Sequence, residues 1–144
     1  MLLEREAQVA ALEALTDAAR SGGGRFVVIE GSAGIGKTRL LAEARVIAGS
    51  AGMRVLAARG GEFEGEFAYG IVRQLFEPLL ASASPGLRAE LLSGPAARME
   101  SLFGASQPAA SREAPSAEGS FAILHGLYWL AANVALHQPT LLAI

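Results

Sequence analysis

The chain has 144 residues, 51% of them hydrophobic, and a net charge of -2 with its charges spread along the length. That is ample apolar material for a core, which excludes a disordered chain, and the dispersed charge excludes an electrostatic nucleic-acid surface in this segment. With no cysteine, disulfides, zinc-thiolate sites and thiol chemistry are excluded as well.

Glu4, Arg5 and Glu6 interrupt any apolar leader, so no secretory signal is expected and the cytoplasm is the expected location. Residues 3–20 predict an amphipathic helix. Val9, Leu12, Leu15 and Ala19 share one face, while Glu6, Glu13, Asp17 and Arg20 lie off it. Ser21 and three glycines end it. Phe26, Val27, Val28 and Ile29 then form a short apolar, partly β-branched run, which predicts a strand buried on both faces.

Directly after that run, residues 31–38 read GSAGIGKT and fit the pattern G-x-x-x-x-G-K-[ST]. The spacing has a chemical reason. Consecutive backbone N–H groups must converge on phosphate oxygens, so side chains are removed at Gly31, Gly34 and Gly36, which also permits unusual backbone angles. Lys37 is the catalytic candidate, its amine placed near β- and γ-phosphates. Thr38 is the candidate Mg²⁺ ligand at the first turn of the following helix, whose N-terminus adds partial positive charge. Gly31, Ser32, Ala33, Gly34, Ile35, Gly36, Lys37 and Thr38 are together the candidate nucleotide-binding residues. The plainer alternative is a flexible glycine turn with a surface lysine. Against it, Lys37 is the only lysine in the chain and all eleven other basic residues are arginine.

Residues 37–48 predict a helix with Leu40, Leu41, Ala44 and Ile47 toward the core, and residues 53–59 (MRVLAAR) a second strand. Strand, helix and strand in that order predict a parallel crossover unit. Residues 60–67 predict a glycine loop carrying Glu62, Glu64 and Glu66, on the side of an open α/β sheet where ligands bind; a solvated acidic loop is the better explanation of them, and no catalytic glutamate is assigned. Residues 69–80 predict a helix with Val72, Leu75, Phe76 and Leu79 inward and Pro78 distorting its last turn. Short helices are expected at 87–92 and 96–103. Residues 104–119, small, polar and proline-bearing, predict a mobile loop.

Residues 120–136 predict a core helix, apolar almost all round, with Ser120 as N-cap. The run is shorter than a bilayer span of ~20 residues and is interrupted by His125, Gly126 and Asn133, so no membrane is expected. His125 and Trp129, one turn apart, are expected to pack in the core. Residues 140–144 (TLLAI) begin a further strand.

Taken together, LLEREAQVAALEAL, VVIEGSAGIGKTRLLAEA, MRVLAARG, FAYGIVRQLFEPLL and FAILHGLYWLAANVAL resemble the N-terminal ATPase domain of large LuxR-type transcriptional regulators. These belong to the STAND branch of P-loop ATPases, often labelled AAA-family ATPases. The resemblance implies a P-loop α/β fold, a three-layer sandwich around a parallel sheet of order 5-1-4-3-2. It makes residues 31–38 the Walker A element and sets Arg5, with Glu6, near adenine. It also implies ATP or ADP with Mg²⁺ as cofactors, an on/off switch set by nucleotide, an inducer or protein partner, and promoter DNA bound only by a separate C-terminal helix-turn-helix. In that family the strand at 140–144 runs into the acidic Walker B pair. The chain is therefore expected to be the N-terminal part of one such domain, with strands 1, 2 and the start of 3, with strand 1 lacking its neighbours and ATP turnover not expected of this part alone. Two other readings remain at this stage, a P-loop kinase for a small acceptor and a non-catalytic interaction module.

Overall fold

The computed structural model describes residues 5–61, 69–103 and 117–144. Glu62, Glu64 and Glu66, and the part of the expected mobile loop at 104–116, lie outside the described residues. The described chain forms two compact units.

The first unit holds residues 5–57 and 138–143. Helix α1 (Glu6–Arg20) and helix α2 (Lys37–Ser50) pack on each other. Val9, Leu12, Leu15 and Ala19 of α1 are half-buried and Glu6, Glu13, Asp17 and Arg20 exposed, as their spacing required. In α2 the fully buried positions are Leu40, Ala44 and Ala48, four residues apart, so the packed stripe follows a single i, i+4 row. Strand β1 (Arg54–Ala57) pairs in parallel with strand β2 (Thr140–Ala143), Arg54 opposite Thr140 and Ala57 opposite Ala143. Arg54 N–H donates to Pro139 O at 2.8 Å and the Gln138 amide to Gly52 O at 2.9 Å, which ties the entry to β2 to the entry to β1.

The strand expected at residues 26–29 does not form. A strand exists through its ladder, and among the described residues the sheet contains only β1 and β2. The 26–29 segment runs without a partner, with Phe26 91% exposed and Val28 61% exposed. Strand β1 takes its parallel neighbour from β2 near the end of the described chain. That adjacency is the one implied by the order 5-1-4-3-2, in which the second and third strands are neighbours. In place of a three-layer sandwich, the described chain is mostly helical with a two-stranded parallel sheet, compatible with part of an α/β P-loop domain.

The second unit spans residues 58–137. Helix α3 (Gly70–Ser82) buries Leu75, Phe76 and Leu80 and continues past Pro78 for another turn. The Gln74 side chain exchanges two hydrogen bonds with the Arg59 backbone, at 2.9 and 3.3 Å. Helix α4 (Pro85–Leu91) starts two residues before the expected helix, because Ser84 caps the Leu87 N–H and Pro85 occupies the first helical position. A 3-10 helix (Gly94–Met99) runs into helix α5 (Glu100–Phe103), where one short helix was expected.

Helix α6 (Ala117–His137) corrects several expectations. It begins three residues before Ser120, which is therefore not its N-cap, and it takes 117–119 out of the expected mobile loop. At 21 residues it also passes the length criterion for a span: Gly119–His137 is long and apolar enough to cross a membrane, with a mean hydropathy of 1.3. Its packing is one-sided. Leu130 and Val134 are buried, whereas Phe121, Leu124, Tyr128 and Leu136 are each more than 60% exposed. The buried side is held by specific contacts. Asn133 Nδ2 donates to Leu91 O at 3.0 Å and Ser93 O at 3.3 Å, covering carbonyls left open where α4 ends. Gly126 lies against Met99 so closely that a Cβ there would sit 2.6 Å from Met99 Cε.

Candidate functional site

Residues 31–36 lie between the unpaired 26–29 segment and α2, and Lys37 and Thr38 are the first two residues of α2. Helix α2 opens with Gly36 as N-cap, at φ 90°, with no side-chain cap and no acidic residue in its first turn. First-turn N–H groups have no intrahelical acceptor, and the first turn itself supplies no carboxylate to offset the positive end of the helix dipole. Two cations, Lys37 and Arg39, stand in that same turn. The arrangement favours an anion.

The glycines answer to different constraints. Gly34 at φ 79° and Gly36 at φ 90° are in the left-handed region, with open space where a Cβ would be. At Gly31, with φ 157°, contact adds to the backbone constraint, since a Cβ would lie 2.9 Å from Ile35 Cγ2. Ser32, Ala33, Gly34, Ile35 and Thr38 are exposed, and Gly36 and Lys37 half-buried.

Lys37 folds back across the loop. Its Nζ donates to Gly31 O at 2.8 Å and to Ser32 O at 2.9 Å. An ammonium carries three donors, so these two bonds fix the amine at the loop and leave its third N–H for an anion. The Ile35 N–H approaches Ser32 O at 3.5 Å and closes the loop's turn loosely. Arg5, at the start of α1, donates from Nη2 to Ile35 O. The fold thus brings Arg5 to the loop across thirty residues, and the group it meets is the loop backbone. Periodicity and motif spacing carry no signal for that contact, because it depends on how α1 packs against α2.

Thr38 offers one neutral hydroxyl at the first turn of α2. Among the described residues no group of three or more His, Asp or Glu could hold a metal ion. So small a donor set suits Mg²⁺, which keeps several waters and takes further oxygens from phosphates, rather than a cation caged by protein. A cleft in the first unit is lined by Glu13, Thr16, Asp17, Val46, Ile47, Ser50 and Ala51, none of them in the loop. This is no conflict, since a cradle of backbone amides is a shallow surface feature and not a cavity. His125 and Trp129 are not core residues. His125 is exposed, stacked on Phe121 at 6.0 Å between ring centroids and edge-on to Trp129 at 6.4 Å.

The family model described as AAA ATPase domain matches residues 1–144. No curated protein and no solved structure matches the chain.

Proposed function

The chain belongs to the AAA ATPase domain family, a family of nucleotide-binding P-loop domains, and from that premise we propose that residues 31–38 bind the phosphates of ATP or ADP. The observation that carries the reading is the position of Lys37. Its amine is held at the loop by the Gly31 and Ser32 carbonyls, at 2.8 and 2.9 Å, with a third donor to spare beside an uncapped helix N-terminus. Gly31, Ser32, Ala33, Gly34, Ile35 and Gly36 form the backbone cradle, Lys37 neutralises phosphate charge, and Thr38 takes Mg²⁺. The metal, when bound, supplies further charge neutralisation on the phosphates.

The wider role we propose is that of a cytoplasmic nucleotide switch of the STAND, LuxR-type kind, in which bound ATP or ADP sets an on or an off state. DNA contact would belong to a separate helix-turn-helix domain, an inducer or protein partner would bias the switch, and no membrane would be engaged. Support for this context comes from the sequence runs described above, beginning with LLEREAQVAALEAL and ending with FAILHGLYWLAANVAL.

Calorimetric titration of the chain with Mg-ATP tests the site. Lys37→Ala should weaken binding by about 1.5 to 3 kcal/mol, the scale of a lost charge-assisted hydrogen bond. Equal affinity in the two proteins, with equal thermal midpoints, would remove the loop assignment.

A further inference from the structure

The Ile35 carbonyl precedes the helical register of α2, whose first intrahelical bond runs from Leu40 N–H to Gly36 O at 3.0 Å. It therefore has no acceptor role within the helix, and the group that meets it is the Arg5 guanidinium. A trans peptide is planar, with its C=O and N–H pointing in opposite directions. Holding the Ile35 carbonyl toward Arg5 thus turns the Gly36 N–H away from Arg5. Gly36, at φ 90° with nothing within 4 Å of a would-be Cβ, does not itself restrain that peptide against rotation.

We propose that Arg5 is a positioning residue for the phosphate cradle. Through the Ile35 carbonyl it locks the Ile35–Gly36 peptide in the orientation that presents the Gly36 N–H to bound phosphate. On this account Arg5 acts on whatever phosphate chain the loop accepts and is indifferent to the base, which separates it from an adenine contact. Guanidinium suits the task because it offers several donors in a fixed plane. The inference rests on the nucleotide-binding reading of residues 31–38, and Lys37→Ala serves to test that reading separately.

The experiment compares ATP with inorganic tripolyphosphate, which has the phosphates and no base, by calorimetry on the full chain in wild type, Arg5→Ala, Arg5→Lys and Lys37→Ala. Arg5→Ala should weaken both ligands by the same factor, about tenfold, the effect of losing one charge-assisted hydrogen bond. The loss should persist at high salt, where a mere field effect is screened, and Arg5→Lys, which retains a donor, should restore part of it. Without ligand, the Gly36 amide should show a lower NMR order parameter in Arg5→Ala than in wild type, a change that loss of a contact to bound base would not produce.

Weaker ATP binding with unchanged tripolyphosphate binding would make Arg5 a base contact and overturn the proposal. So would an Arg5→Ala loss that vanishes at high salt, or no loss for either ligand while Lys37→Ala still abolishes both. If Lys37→Ala leaves both ligands untouched, the loop reading falls and the positioning role falls with it.

Discussion

At the scale of single residues, the glycines of the loop separate two reasons for the same residue type. A side chain at Gly36 is strained whatever space surrounds it, because left-handed backbone costs an L-residue roughly 1 to 2 kcal/mol and the observed φ is 90°. At Gly31, whose φ is 157°, a second obstacle is one branch of Ile35, 2.9 Å from the would-be Cβ, and Ile35 is 49% exposed and able to move. Gly36→Ala should therefore lower stability by about 1 to 2 kcal/mol in any background. Gly31→Ala adds a clash with Ile35 to the strain of its φ of 157°, so an Ile35→Ala background should relieve part of its cost and not all of it. Urea denaturation of the single and double variants measures this, and a Gly36→Ala cost relieved by Ile35→Ala would contradict the assignment of its strain to the backbone. Thr38→Ala belongs to the same scale. It should reduce the gain in ATP affinity that Mg²⁺ brings while leaving Mg²⁺-free ADP affinity nearly unchanged, and a magnesium response identical to wild type would exclude the Thr38 role.

At the scale of elements, α6 shows why apolar composition alone does not make a core helix. Its buried side is set by a close approach to the 3-10 helix, with Gly126 against Met99, itself only 1% exposed. Gly126→Ala gains about 1 kcal/mol of helix propensity but forces a Cβ to within 2.6 Å of Met99 Cε. Overpacking of this sort costs roughly 1 to 3 kcal/mol, so the variant should be less stable than wild type. Adding Met99→Ala should reverse the sign of the Gly126→Ala effect, and a double-mutant cycle with no coupling would show that the two residues do not meet. Asn133 connects two elements in a different way. Asn133→Ala leaves the Leu91 and Ser93 carbonyls without their donor and should cost about 1 to 2 kcal/mol, read as a lowered denaturation midpoint. Capping chemistry placed no helix start from the sequence, since Ser120, the one N-cap expected, lies inside α6. The missed start of α4 had a signal in Ser84-Pro85, and the missed start of α6 had none stronger than Ser120.

At the scale of the whole molecule, the apolar residues divide into those that hold the fold and those that face water. Leu91 and Leu130 are fully buried, whereas Phe26 is 91% and Phe121 71% exposed. Leu130→Ala should cost about 2 to 5 kcal/mol, as large-to-small changes in packed sites do. Phe26→Ser should stay within roughly 0.5 kcal/mol of wild type, as exposed substitutions do. A Phe26→Ser loss comparable with that of Leu130→Ala, in the same denaturation series, would put residues 26–29 inside a packed layer. An apolar, β-branched run is compatible with a strand, yet only neighbouring backbone makes it one.

What the sequence determined by itself is what depends on near neighbours. The loop at 31–38 was legible because its spacing and its glycines are demanded by local backbone geometry, and α1, α2 and α3 because a 3.6-residue period is a property of the helix alone. That the chain is an AAA ATPase domain was legible on the same runs. Tertiary structure decided the rest. It left 26–29 without a ladder, because hydrogen-bond partners for a strand come from distant chain. It exposed one side of α6, because burial depends on which neighbours arrive and not on how apolar the helix is. It also set Arg5 on the Ile35 carbonyl, because two residues thirty apart meet only when the helices that carry them pack.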